Sequence, residues 1–434
     1  MHYNGHDPRT LLRSLFEVAI DAVSARRVLP SFLPQAPKGR TVLLAVGKAA
    51  AAMADVVADA WQGPLSGLVV TRYGHAIEGL SRKHEIELIE ARHPIPDRMS
   101  VTGARRALEL VQGLSKDDLV LVLISGGGSA LWCLPIPGVS LQDKQRITSE
   151  LLSAGATIGE LNTIRKWLSQ IKGGRLAEAA APARVETLII SDVISNDPSM
   201  IASGPSLPGA ESFEEVLKIL ARYRLELSPD VLEAMRKNPP PVAAASRKSS
   251  RCRIVAVPND ALQAAEHAAL SSGLEVRMLG DAIDGEARDA AAAHARIARE
   301  AAQSGKPTLI LSGGEVTVAV RDRSGIGGPN TEFMLSLAIE LGGAKGIHAL
   351  ACDTDGYDGV GDNAGAIIGP ETLQRASEKG VDPVQALDSN NSYRFFEALD
   401  DLVITGPTQT NVSDFRAILV CDDALNGSLE ADRP

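Results

Sequence analysis

Apolar runs recur along this chain at 41–46, 67–71, 118–124, 186–191, 253–257, 308–311 and 347–351. Each is short, and several end at glycine or serine, which is the length and punctuation of buried strands. Between them apolar residues fall at helical spacing. Residues 11–28 read as an amphipathic helix. Residues 160–172 set Leu161, Ile164, Trp167, Leu168 and Ile171 against Asn162, Arg165, Lys166 and Ser169, and end at Gly173-Gly174, a normal helix stop. The alternation predicts βα units around a mostly parallel sheet, with chemistry in the loops that leave the carboxyl ends of strands. At 238–250 the rhythm breaks into prolines and small polar residues, the composition of a linker or long surface loop.

Length and charge narrow the picture. A chain of 434 residues suits two α/β domains with a cleft between them better than one simple core. A net charge of −10 and 3% aromatic residues argue against a nucleic-acid surface or an anionic membrane as partner. No stretch approaches the roughly 20 apolar residues that cross a bilayer. The first ten residues are polar, unlike a signal peptide. Cys133, Cys252, Cys352 and Cys421 are far apart and lack zinc spacing, so reduced thiols in a cytoplasmic protein are expected.

Two glycine-rich strand ends attract notice. Ser125-Gly-Gly-Gly-Ser-Ala130 follows an apolar run, so the amides of Ser125, Gly126, Gly127, Gly128 and Ser129 could cradle an anion, phosphate above all. The bland alternative is a tight turn that needs positive φ. Ser312-Gly-Gly-Glu315 echoes it with Gly313, Gly314 and Glu315. No GxxxxGK[ST] loop is present, and Val46-Gly-Lys-Ala-Ala50 is not the dinucleotide fingerprint GxGxxG.

Charged residues supply the rest. Lys48 follows the first strand at a helix start, where it either neutralises phosphoryl oxygens or is an ordinary exposed lysine. Arg165, Lys172 and Arg175 form either a basic rim for anionic ligands or a solvated face. Asp192 sits at a strand end, able to take a hydroxyl proton or hold Mg²⁺, with Asp197 second; either could be a turn former. Asp353-Thr-Asp-Gly-Tyr-Asp358 is not a calcium loop, because Tyr357 and Ala364 fill ligand positions. Asp353 and Asp355 stay open for Mg²⁺ or ligand contact. Asn330 could cap a helix or touch a ligand. His93 is the one histidine in a distinctive loop.

These segments, in this order, resemble the ATP-dependent glycerate 2-kinase family with its C-terminal MOFRL domain. The likeness rests on Val46-Gly-Lys-Ala49, His93-Pro-Ile-Pro-Asp97, the 125–130 loop, residues 165–176, Ser191-Asp192, Ala202-Ser-Gly-Pro205, Ser312-Gly-Gly-Glu315, Gly327-Gly-Pro-Asn330, Thr354-Asp-Gly356 and residues 405–414. It covers nearly the whole chain. It implies an α/β fold of two domains, a Rossmann-like α/β/α domain over 1–245 and an α/β region over 251–423 that includes the MOFRL domain at 306–423. It implies conversion of D-glycerate to 2-phosphoglycerate with ATP and Mg²⁺, with Lys48 as the essential lysine and Asp192 as the strand-end carboxylate. Glycerate and ATP are then the partners, and a homodimer is left open. Pro329 stands where many relatives carry arginine, and Asn391 where aspartate is common. The rival readings are a hydroxypyruvate reductase, a name relatives often carry, and a non-catalytic small-anion-binding protein.

Overall fold

The computed structural model describes residues 7–80, 84–209, 211–241 and 250–421. Most of the expected 238–250 linker lies outside the described residues. The chain divides into two compact units, Ala25–Ala256 and Met1–Ser24 with Val257–Pro434.

The first unit is built on a six-stranded parallel sheet: β1 Thr41–Val46, β2 Leu65–Arg72, β3 Glu85–Ala91, β4 Leu119–Ile124, β5 Arg184–Ile190 and β6 Ser250–Ala256, in the order β3-β2-β1-β4-β5-β6. β1 and β4 are buried at every position, as expected for Leu- and Val-rich strands covered on both faces. The main core joins Val46, Val70, Val122, Ile124 and Ile189 to Leu131 and Trp132. A second core, around Ile147, Leu161, Ile164, Trp167 and Val216, holds the helices Leu141–Ser153, Ile158–Trp167 and Phe213–Arg222 together. Strand order reverses between β1 and β4. In such sheets the crevice at the carboxyl ends of that strand pair is where ligands bind.

The expected helix at 160–172 is shorter and more deeply set than its pattern suggests. It ends at Trp167, and Asn162 and Lys166 on its polar side are buried. Gly173 and Gly174 do not stop it. Their amides pair with the carbonyls of Ser203 and Gly204 at 3.0 and 2.8 Å, docking this stretch along another loop.

The second unit has a mixed sheet: β7 Glu275–Met278, β8 Thr308–Gly314, β9 Ile347–Asp353, β10 Gly365–Ile368, β11 Leu402–Val403 and β12 Asp414–Val420, ordered β11-β10-β9-β12-β8-β7. Only β7 and β8 run parallel. The mostly parallel expectation therefore holds for the first sheet alone. β12, the last strand, slots between β8 and β9 and runs against both. The N-terminal helix Pro8–Ala22 also belongs here. Phe16 stacks on Phe415 at 5.6 Å, Arg9 pairs with Asp401 at 2.7 Å, and Thr410 donates to the Val23 carbonyl at 3.0 Å. The compact units thus fall differently from the expected division. Residues 7–24 go with the second unit, and 250–256 complete the first sheet. Periodicity shows which face of an element is apolar but not what covers it.

Candidate active site

Register places the site. Val46, Ile124 and Ile189 are partners across β1, β4 and β5. Lys48, Gly126 and Ser191 each follow two residues later, so three loops emerge side by side. At one strand spacing apiece, Val46 and Ile189, which lead into the Lys48 and Asp192 loops, are about 10 Å apart. The Lys48 amide donates to the Gly126 carbonyl at 2.9 Å, and the Ala49 amide to Ser125 Oγ at 2.9 Å. Gly47 permits this closeness. Its φ is +131°, and a Cβ there would meet Ser125 Oγ at 2.1 Å. Gly127, at φ +82°, lies against two side chains: a Cβ on it would fall 3.0 Å from the His93 ring and 3.5 Å from Lys48 Cγ. Lys48, His93 and the glycine loop therefore converge.

The backbone amides of residues 126–129 donate to no acceptor among the described residues. They lead into the short helix Gly128–Leu131, whose first amides have no partner within the helix. Ser129 Oγ lies 2.7 Å from Ser203 Oγ, and Ser203 donates to Asn162 Oδ1 at 2.9 Å. Ala202 and Ser203 adopt φ of 51° and 59°, a left-handed backbone uncommon for such residues.

Among the expected basic residues, Arg165 is half-buried and Lys172 fully buried. Lys172 Nζ donates to the Ala202 carbonyl at 3.1 Å. Burial, then the charges of Lys144 and Arg165, hold the Lys172 pKa well below the usual lysine range. Arg175 instead turns to the Asn238 carbonyl at 2.5 Å. Asp192 is half-buried in the loop after β5. Asp197 is exposed and takes the Ser199 amide at 2.9 Å, a turn-forming role.

The second unit treats its candidates otherwise. Gly313 and Gly314 do not form an open loop. They lie inside β8, paired with Phe415 and Asp414 of β12. A Cβ on Gly314 would strike the Ile283 backbone at 2.1 Å, so the glycine serves close chain packing. Glu315 is exposed. Asn330 is 1% exposed and donates to Asp414 at 2.7 Å. Asp358 caps its helix by accepting from the Asn330 and Thr331 amides at 2.8 and 2.7 Å. Asp353 and Asp355 take the amides of Asp355 and Tyr357 at 2.9 and 2.7 Å. Pro329 is the first residue of helix Pro329–Leu341, and Asn391 accepts the Ile326 amide at 3.2 Å. Among the described residues no three His, Cys, Asp or Glu side chains cluster as a metal site.

Two residues near the site escaped sequence reasoning. His75 Nδ1 lies 3.1 Å from the Lys48 carbonyl, a contact that needs this nitrogen to carry the hydrogen. Lys144 is 3% exposed on a helix that reads as a solvated surface element. Nothing in their sequence surroundings sets either apart.

A parallel sheet with an amide-lined turn and a lysine at its reversal point defines an α/β protein able to seat an anionic small molecule. Residues 11–236 match a family described only as a domain of unknown function, DUF4147, and residues 308–414 match the MOFRL family. The chain is 39% identical over 418 residues to the D-glycerate 2-kinase of Thermotoga maritima, covering 94% of this chain and 98% of that one. It is 33% identical to the glycerate kinase of Mus musculus over 94% and 92% of the two chains. It is 47% identical, over 97% and 96%, to an Agrobacterium vitis protein that carries the provisional name hydroxypyruvate reductase. The crystal structure of glycerate kinase from Thermotoga maritima is similar with a TM-score of 0.83 at 38% identity, covering 95% of this chain and 99% of that chain. The chain belongs to the glycerate kinase family, with a DUF4147 region followed by a MOFRL domain.

Proposed function

We propose that this protein is an ATP-dependent glycerate 2-kinase of the cytoplasm, which moves the γ-phosphoryl of Mg-ATP to the 2-hydroxyl of D-glycerate and releases 2-phosphoglycerate and ADP. The observation that carries this reading is the run of four successive amides at 126–129, without acceptors among the described residues, beside Lys48 at the sheet's reversal point. Amides so disposed are a ready seat for phosphate oxygens.

Phosphoryl transfer asks a protein for position and charge neutralisation rather than covalent chemistry. Lys48 supplies a positive charge for the moving phosphoryl. Asp192, across the loop, takes the proton of the 2-hydroxyl or orients it. Arg165 and Lys172 favour the negative charge of the substrates. Mg²⁺ commonly binds through one or two carboxylates together with substrate phosphates, and Asp192, half-buried at a strand end, suits that role. When bound, Mg²⁺ offsets phosphate charge.

The test is ADP formation from Mg-ATP, followed with and without D-glycerate, beside a second arm with hydroxypyruvate and NADH. The proposal predicts ADP only when glycerate is present and no NADH loss. NADH consumption without any ADP would make the protein a reductase.

A further inference from the structure

A cavity of about 530 Å³ opens in the first unit between the 93–97 loop, the helix Gly128–Leu131 and the helix Leu141–Ser153. Pro94, Pro96 and Leu152 form an apolar wall, while Lys144, Arg146 and Arg165 bring positive charge among neutral polar side chains such as Ser129, and of these Arg146 is already paired with Glu150 at 3.0 Å. No aspartate or glutamate is among the residues that line it.

Buried cations in proteins are usually paired, because an uncompensated charge out of water is costly. Lys166, on the helix that carries Arg165, obeys the rule: it meets Glu211 at 2.7 Å. Lys144 does not. Its Nζ is buried without an oxygen or nitrogen acceptor, and among the groups acting on it only the Cys133 sulfur favours its charge. Arg165 makes no hydrogen bond to any described residue. Burial, followed by the charges of Arg165 and Arg175, pulls the Lys144 pKa down, and burial does the same to Arg165. The buried ammonium of Lys172 adds a third positive charge that acts on both. Losing a proton would relieve Lys144, but a guanidinium stays charged.

We infer that this cavity is an oxyanion site in which Lys144 and Arg165 together grip a carboxylate or phosphoryl group of a small ligand, with Lys144 setting the affinity. The missing carboxylate partner is thus supplied by the ligand. The inference rests on the kinase reading only for its choice of ligands, the glycerate carboxylate or the phosphates of the nucleotide.

The test compares Lys144→Met with the full-length wild type by calorimetric titration of D-glycerate, Mg-ADP and inorganic phosphate, each alone, and by thermal unfolding. Removing an unpaired buried ammonium should raise the unfolding temperature by about 2–5 °C. The same change should weaken the oxyanion ligand about 10- to 100-fold, the range for losing a hydrogen bond to a charged group. Weakened D-glycerate with Mg-ADP unchanged supports the site and identifies the carboxylate as its guest. Weakened Mg-ADP or phosphate with D-glycerate unchanged supports the site and makes the guest a phosphoryl group. Arg165→Gln should weaken the same ligand, which guards against a misfolded Lys144→Met. If the variant binds all three ligands like the wild type, or is less stable while keeping them, Lys144 is structural and the inference is overturned. Binding is read without turnover, so a lack of kinase activity would count against the kinase reading and leave this one standing.

Discussion

Both units bury cations, and Arg416 of the second is treated oppositely to Lys144 and Arg165 of the first. In the second unit Arg416 is fully buried, yet it pairs with Asp414, donates to the Gly313 carbonyl at 3.0 Å and feels the charges of Asp358 and Asp353. In the first unit no carboxylate lines the cavity of Lys144 and Arg165, and Lys144 Nζ has no hydrogen-bond partner among the described residues. The glycines divide the same way. Gly313 and Gly314 are consumed by strand pairing, while the amides of residues 126–129 stay open. Similar residue types build an ion-paired core network in one place and a receptive surface in the other. Burial alone therefore does not mark a functional charge; burial without a partner does.

Four perturbations test that contrast. The largest effect is expected at Lys48. Lys48→Ala should cut turnover at least a thousandfold, about 4 kcal/mol of barrier, with an unfolding temperature close to wild type. Steady-state kinetics beside calorimetry checks both halves. Next is Arg416→Met, which strands the buried Asp414 carboxylate. It should cost about 3–5 kcal/mol in denaturant unfolding, whereas Lys144→Met should cost nothing.

The third prediction concerns pH. Burial pushes the Asp358 carboxyl up to about 6 from an ordinary 3.8, against the pull of its amide donors. The folded state thus holds this proton more tightly than the unfolded chain. The resulting stability is full below about pH 4 and is lost as pH rises through about 6, up to about 3 kcal/mol in all. From pH 4 to 7 the wild type should lose up to about that amount of stability relative to Asp358→Asn, and a constant gap or a gain would refute the shift. The smallest effect is at Ser129. Ser129→Ala removes its 2.7 Å contact with Ser203 and should cost about 1 kcal/mol in stability, with a severalfold drop in kcat.

Much of the first sheet is legible in the sequence. Residues 41–46, a threonine followed by five apolar residues, form β1 at those bounds. β3 escapes because Glu85, Glu87 and Glu90 interrupt it, and β11 because it has only two residues. The glycine loop and Lys48 are legible for a physical reason: strand-end glycines are needed only where backbone must approach closely. Lys144 is not. It lies in a stretch with Asp143, Gln145 and Arg146, which reads as a water-facing helix, and only tertiary packing hides it. The second Ser-Gly-Gly misleads for the converse reason. Its spacing is that of a loop, but β12 arrives from a hundred residues away to close it.

The open amides at the reversal point of the first sheet are the heart of the proposed phosphate seat. Titrating ¹⁵N-glycine-labelled protein with Mg-ADP and following the amide resonances of Gly126, Gly127 and Gly128 tests this directly. Those three signals should move strongly, while Gly313 and Gly314, locked in β8, move little. Saturating nucleotide that leaves Gly126, Gly127 and Gly128 unmoved would contradict the account.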